Sequence, residues 1–269
     1  WKEINRLHHT VREMRVLYNE LKEEGFSIVV DLQGLLRSGL IAKATNTPLR
    51  IGFKEAREGS PLFYTHSIEG GKDVHAVDRY LRIARYLDCD TADVQFPFSP
   101  LPDPSLVARH LSLPDRYIVL VPGARKPANR WPAERFGRLA SMLPIKAVVT
   151  GSRGDMKLAE AVVRHSKGNA VSVAGKTDLK SLISLIRGAR LVVSNDSGPM
   201  HIAAGLRVPV VAIFGPANPV RTGPYGTIHK VIRRNMSCSP CYKRTCKSPD
   251  CLEEIRVKDV ASAVIDALN

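Results

Sequence analysis

Between Tyr117 and Phe214 short apolar runs alternate with amphipathic stretches without interruption, and that alternation leaves few folds open. Strands are predicted at Tyr117 to Val121, Lys146 to Thr150, Val171 to Ala174, Arg190 to Ser194 and Val208 to Phe214. Helices are predicted at Pro132 to Met142, Asp155 to Ser166 and Asp178 to Arg187, with one more opened by Pro199. Continuous apolar strands joined through helices are the pattern of a parallel sheet covered on both faces, a doubly wound, Rossmann-like domain. In such a sheet the carboxyl end of a strand faces a crevice, and the following helix offers free N–H groups and a partial positive charge to what binds there. The run SNDSGPMHIAAGLRVPVVAIFG, Ser194 to Gly215, is one such corner, and Asp196, Ser197, Gly198 and His201 are expected to face the crevice.

Two more corners follow strands. In Val121 to Pro132, VPGARKPANRWP, glycine permits close backbone approach, Arg125, Lys126 and Arg130 supply charge, and Pro132 opens a helix. Such a loop suits a diphosphate, although a solvated basic loop has the same composition. In Thr150 to Asp155, TGSRGD, the carboxylate of Asp155 suits ribose hydroxyls, as acidic residues do in dinucleotide folds, or else it caps the helix. Capping is equally open to Asp196, and a lone His201 reads as structural.

The amino-terminal part is less regular. Trp1 to Glu24 reads as a helix with Ile4, Leu7, Val11, Met14, Leu17 and Leu21 at spacings of three and four. A bare helix is a rare start for an α/β domain, so the natural chain is expected to begin earlier. A strand at Ser27 to Leu32, a helix at Leu35 to Ala44, a strand at Arg50 to Phe53 and a helix at Val74 to Leu87 follow. Phe96 to Pro104, FPFSPLPDP, has four prolines and is expected to link two domains. The boundaries predicted are 1–103, 104–251 and a carboxyl-terminal helix in 252–269.

A length of 269 residues suits two modest cores, and the formal charge of +14 points to polyanionic partners. No apolar run approaches the roughly 20 residues that a membrane span needs, and the expected location is the cytoplasm. Cys238, Cys241, Cys246 and Cys251 are spaced so that a structural zinc knot, free thiols and bridged thiols all remain open. Cys89 is expected to be a small core residue.

Together the corners resemble glycosyltransferase family nine, the bacterial lipopolysaccharide heptosyltransferases of GT-B fold. The likeness is carried by P-G-A and R-W-P within Pro122 to Pro132, by G-S-R-G-D at Gly151 to Asp155, and by S-N-D-S-G-P-M-H with F-G-P-A-N-P within Ser194 to Pro219. In the first domain D-L-Q-G-L-L-R-S-G-L-I-A at Asp31 to Ala42, R-I-G-F with A-R-E at Arg50 to Glu58, and H-A-V-D-R at His75 to Arg79 look like heptosyltransferase I. The resemblance implies two Rossmann-like domains facing a cleft, the first lacking its first strand here. It implies that Ala124, Arg125, Lys126 and Arg130 hold the diphosphate of ADP-heptose. Asp155 would stand near the ribose, with Asp196, Ser197, Gly198 and His201 around phosphate and sugar. Arg37, Arg57 and His75 fall where the family binds a Kdo-lipid A acceptor, whose carboxylates and phosphates need cations.

The reaction implied is an inverting displacement that needs no metal cofactor, on a protein peripheral to the anionic inner membrane of a Gram-negative bacterium. The family's K-R-W-P becomes N-R-W-P at Asn129, and its catalytic carboxylate belongs to a segment that would precede Trp1. A catalytically inactive nucleotide-sugar-binding fragment is therefore a second reading. A nucleic-acid-binding protein is a third, disfavoured because no interleaving of aromatic and basic residues marks a stacking platform.

Overall fold

The computed structural model describes residues 7–269, and the chain divides into two compact units, Trp1–Val94 and Gln95–Asn269. In the first unit α1 (Leu7–Glu23) precedes β1 (Ile28–Val30), α2 (Leu36–Ala44), β2 (Leu49–Phe53), β3 (His66–Ile68) and α3 (Ala76–Tyr86). The three strands pair in parallel in the order β1-β2-β3. Ile51, Phe53 and Ile83 are buried at the centre of this unit. Ile4 of the expected amino-terminal stripe lies outside the described residues, while Val11, Met14 and Leu17 of the same stripe are exposed on α1.

One buried carboxylate shapes the start of α2. Asp31 Oδ1 accepts the backbone N–H groups of Gln33 and Gly34 at 2.9 and 3.0 Å, and Oδ2 accepts the hydroxyls of Ser38 and Tyr64 at 2.8 and 2.6 Å. Burial and this bond to Asp31 push the Tyr64 phenol up to about 12. Gly52 is required beneath the ring, since a Cβ there would lie 2.2 Å from Tyr64 Cε2.

In the second unit α4 (Pro104–His110) leads into β4 (Tyr117–Val121), α5 (Ala133–Ala140), β5 (Lys146–Val149), α6 (Met156–Arg164) and β6 (Ala170–Ser172). Then come α7 (Leu179–Arg187), β7 (Leu191–Asn195), α8 (Gly198–Gly205), β8 (Val210–Phe214), α9 (Pro219–Thr222), β9 (Lys230–Arg233), α10 (Asp250–Glu253) and α11 (Val257–Leu268). All six strands are parallel, in the order β6-β5-β4-β7-β8-β9. Along β4 the side chains alternate between two cores: Ile118 and Leu120 join Trp131, Phe136 and Val264, whereas Tyr117, Val119 and Val121 join Leu185, Met200 and Phe214. Both faces of the sheet are therefore buried, as its continuous apolar strands require. The α/β architecture expected from the sequence is the one found.

The proline-rich stretch before α4 is packed within the second unit rather than free. Phe96 meets the Tyr225 ring edge-on at 5.9 Å, and the Pro102 carbonyl accepts from Ser184 Oγ at 2.8 Å. Asp103 caps α4 through Ser105 N at 2.8 Å, with Pro104 in the first turn, where its missing N–H costs no bond.

Candidate functional site

The strand order reverses direction between β4 and β7. The chain leaves these adjacent strands toward opposite sides of the sheet, and the loops beyond their carboxyl ends part to form a crevice. A cavity of about 510 Å³ occupies this region of the second unit. The loop after β4 contributes Gly123, Ala124, Arg125 and Arg130, the loop after β5 contributes Gly151, Ser152 and Asp155, and the turn after β7 contributes Ser197, Gly198 and Pro199. The three corners singled out in the sequence thus line one cavity.

Each wall has a local cause. Asp155 Oδ2 accepts from Ser152 N and Oγ at 2.9 and 2.6 Å, so this carboxylate does cap its helical turn while also lining the cavity. It lies so close to the end of β4 that a Cβ on Gly123 would fall 2.9 Å from its Oδ1. Arg130 Nε donates to the Ala124 carbonyl at 2.8 Å, which folds the basic loop on itself. At α8 no side chain caps the helix, and the space beside the Gly198 Cα is open. Gly198, the first residue of α8, lines the cavity at the favourable end of the helix dipole; Pro199 has no N–H to offer, and Met200 N donates to the Ser197 carbonyl at 3.2 Å.

Asp196, Lys126 and His201 are not among the residues lining the cavity. Asp196 is half-buried and faces the basic loop: Asn129 Nδ2 donates to its Oδ2 at 2.9 Å. Burial raises the Asp196 carboxyl above its ordinary range, against the opposing pull of Lys126 and of the Asn129 bond. Asn129 thus supplies a neutral donor to this carboxylate, and Lys126, three residues earlier, supplies the charge. Lys126 Nζ donates to the Tyr242 carbonyl at 3.4 Å, and His201 is exposed on the first turn of α8.

A fourth corner completes the cavity and escaped the sequence reading. Thr177, Asp178, Leu179 and Leu182, at the start of α7, form its partly apolar wall. Asp178 is occupied as the cap of α7, accepting from Ser181 N at 2.7 Å. A signal was present in the sequence, since this turn also follows a strand and opens a helix.

In the first unit Arg37 is exposed in the first turn of α2. The exposed Arg57 belongs to a loop tied to the same turn by its own N–H, which donates to the Gly34 carbonyl at 2.9 Å. His75 instead caps α3, its Nδ1 accepting from Val77 N at 3.2 Å.

Of the alternatives left open for the cysteine cluster, free thiols are the one found. Cys238, Cys241, Cys246 and Cys251 are unbridged and border a small cavity of about 30 Å³ with Ala128 and Pro216. Burial, together with the three other thiols, raises the Cys251 thiol. Among the described residues no group of three or more His, Cys, Asp or Glu is placed to hold a metal ion, so a structural zinc is not supported. Cys246 Sγ turns instead to the Ser248 carbonyl at 3.3 Å. The segment braces the basic loop through its main chain, where Ala128 N donates to the Arg244 carbonyl at 3.2 Å. Cys89 is exposed just after α3 rather than in a core.

Comparison with known proteins bears on the family and the fold. The chain is 26% identical over 224 residues to the lipopolysaccharide core heptosyltransferase OpsX of Haemophilus influenzae, covering 80% of this chain and 65% of that one. It is 28% identical over 258 residues to lipopolysaccharide heptosyltransferase 1 of Pseudomonas aeruginosa, covering 92% and 71%. Among solved structures, the ADP-heptose LPS heptosyltransferase II of E. coli superposes with a TM-score of 0.71 at 25% identity, covering 96% of this chain and 81% of that one. The chain therefore spans about two thirds of the length of these two curated relatives. The family model described as glycosyltransferase family 9 (heptosyltransferase) matches residues 14–251, and the chain belongs to that family.

Proposed function

We propose that the cavity between β4 and β7 binds ADP-heptose and that the protein transfers the heptose to a Kdo-lipid A type acceptor in lipopolysaccharide core synthesis. The observation that carries this reading is the convergence of Arg125, Arg130, Asp155, Ser197 and Gly198 on one cavity of about 510 Å³ at the switch point of the sheet. Arginine side chains and the amino-terminal end of α8 at Gly198 suit a diphosphate, Asp155 a ribose, and Leu179 and Leu182 the flat face of a base. Asp196, with His201 five residues on and Lys126 acting on its carboxylate, is assigned to the rim where phosphate meets sugar. The similar E. coli protein is itself an ADP-heptose transferase.

In the inverting reaction an acceptor hydroxyl loses its proton to a base and its oxygen attacks the anomeric carbon. The bond from that carbon to the diphosphate oxygen breaks, and ADP leaves with the electron pair. The part assigned to this chain's residues is to hold the donor and stabilise charge on the departing diphosphate. Arg37, Arg57 and His75 are assigned to the acceptor's anionic groups. A formal charge of +14 favours the anionic inner face of a membrane. Flotation with anionic vesicles checks that surface role: binding should fall steeply with added salt, and equal binding to neutral vesicles would refute it.

The donor assignment has a direct test. ADP at a hundred times its Kd stabilises a binding-competent fold by about 2.7 kcal/mol. For a unit of this size that raises Tm by about 5–10 °C. The variant Asp196→Ala should lose most of the shift, and a wild-type Tm that ignores ADP would remove the reading.

A further inference from the structure

The donor loop is fastened at both ends by a single side chain that no role above uses. Asn195, the last residue of β7, is fully buried. Its Nδ2 donates to the Pro122 carbonyl at 2.8 Å, and its Oδ1 accepts the Trp131 backbone N–H at 3.0 Å. Pro122 is the first residue after β4 and Trp131 lies two residues before α5, so one amide closes the whole basic loop. The two bonds leave no choice of amide orientation, because a carbonyl can only accept and a backbone N–H can only donate.

The placement follows from the sheet. Main-chain pairing between β4 and β7 ends at Val121 with Ser194, where the strands part to open the crevice. One residue further on, the Asn195 amide takes over the hydrogen bonding that the diverging backbones can no longer make. Of the next residues, Asp196 receives Asn129 from the middle of the same loop, and Ser197 and Gly198 line the cavity. The side chain that ties down Ala124, Arg125 and Arg130 on one wall is thus continuous with the opposite wall.

We infer that Asn195 is a positioning residue for the diphosphate: it fixes the spacing between the basic loop and the α8 turn, so that both grip the same pair of phosphates. This rests on the reading that the cavity takes a nucleoside diphosphate. Preorganised donors avoid the cost of ordering a loop on binding, and a loop released at both ends must meet that cost.

The test compares ADP with AMP, because a loop that acts on the diphosphate matters more to the ligand that carries one. Binding of both is measured by calorimetry on the full chain and on Asn195→Ala, with circular dichroism and Tm as the check on folding. Asn195→Ser, which keeps a polar group at the strand end, takes its place if the alanine variant melts below the assay temperature. ADP affinity should fall tenfold or more, and the ratio of ADP to AMP affinity should fall at least fivefold. A folded variant that keeps ADP affinity within twofold overturns the inference. Equal losses for ADP and AMP overturn it too, since they would mark a general weakening of the fold. Failure of the wild-type chain to bind ADP would instead sink the donor reading itself.

Discussion

Asp196 shows how a half-buried carboxylate weighs on its own fold. Burial raises its pKa above the ordinary 3.8, which means that the folded chain holds this proton more tightly than the unfolded chain does. Between the two values the native state binds more protons, so stability falls as pH rises through the folded pKa, and the loss is complete above it. Asparagine at 196 is free of that penalty and still offers an oxygen to Asn129 Nδ2. Asp196→Asn should therefore melt higher than wild type at pH 7, with the gap closing toward pH 4, while ADP binding weakens. A gap that stays constant across that range would show that the carboxylate carries no such penalty. Asp196 stood out in the sequence but turns to Asn129 and is not among the residues lining the cavity, whereas Asn195 did not stand out, because its partners Pro122 and Trp131 are more than 60 residues away. The pattern marks a strand end; only coordinates show which side chain bridges it.

At the scale of elements, the corners depend on how closely the strand ends approach the loops beside them. Gly123 follows β4 within van der Waals reach of Asp155, from the corner after β5. Alanine at 123 would drive its Cβ into that carboxylate, and such overpacking costs about 1–3 kcal/mol. Gly123→Ala should lower Tm and also weaken ADP binding severalfold, by turning Asp155 away from the cavity. Unchanged ADP affinity in the folded variant would separate Asp155 from the ligand. Strands β4, β7 and β8 of the second unit were readable because both faces are buried, so their apolar runs are continuous. The missed strands β3 and β9 lack that signal: His66–Ile68 is mostly exposed and Lys230–Arg233 carries a cation at each end. The start of α7 was seen as a helix but not as a wall of the cavity. Its leucines look like any amphipathic face until the fold sets them opposite Gly123.

Across the whole molecule, apolar burial is divided unequally. The second unit holds two large clusters, one on each face of its sheet. Among the described residues the first gathers only Ile51, Phe53 and Ile83 into a buried apolar cluster, with Ala42 buried outside it, while Ile28 and Val30 on its edge strand are exposed. Two-unit organisation was visible in the sequence, but this inequality was not, because hydrophobic spacing predicts a stripe and not what covers it. Stability follows buried apolar area, so the first unit should open at lower temperature than the second. Every residue lining the cavity proposed to take the donor lies between Val121 and Pro199, within the second unit. A ligand stabilises only the unit whose folding creates its site. Scanning calorimetry of the full chain should therefore show two transitions, with ADP raising the upper one and leaving the lower one in place. A single transition lifted as a whole by ADP would mean that the two units fold as one, and that the small core of the first draws its stability from the second.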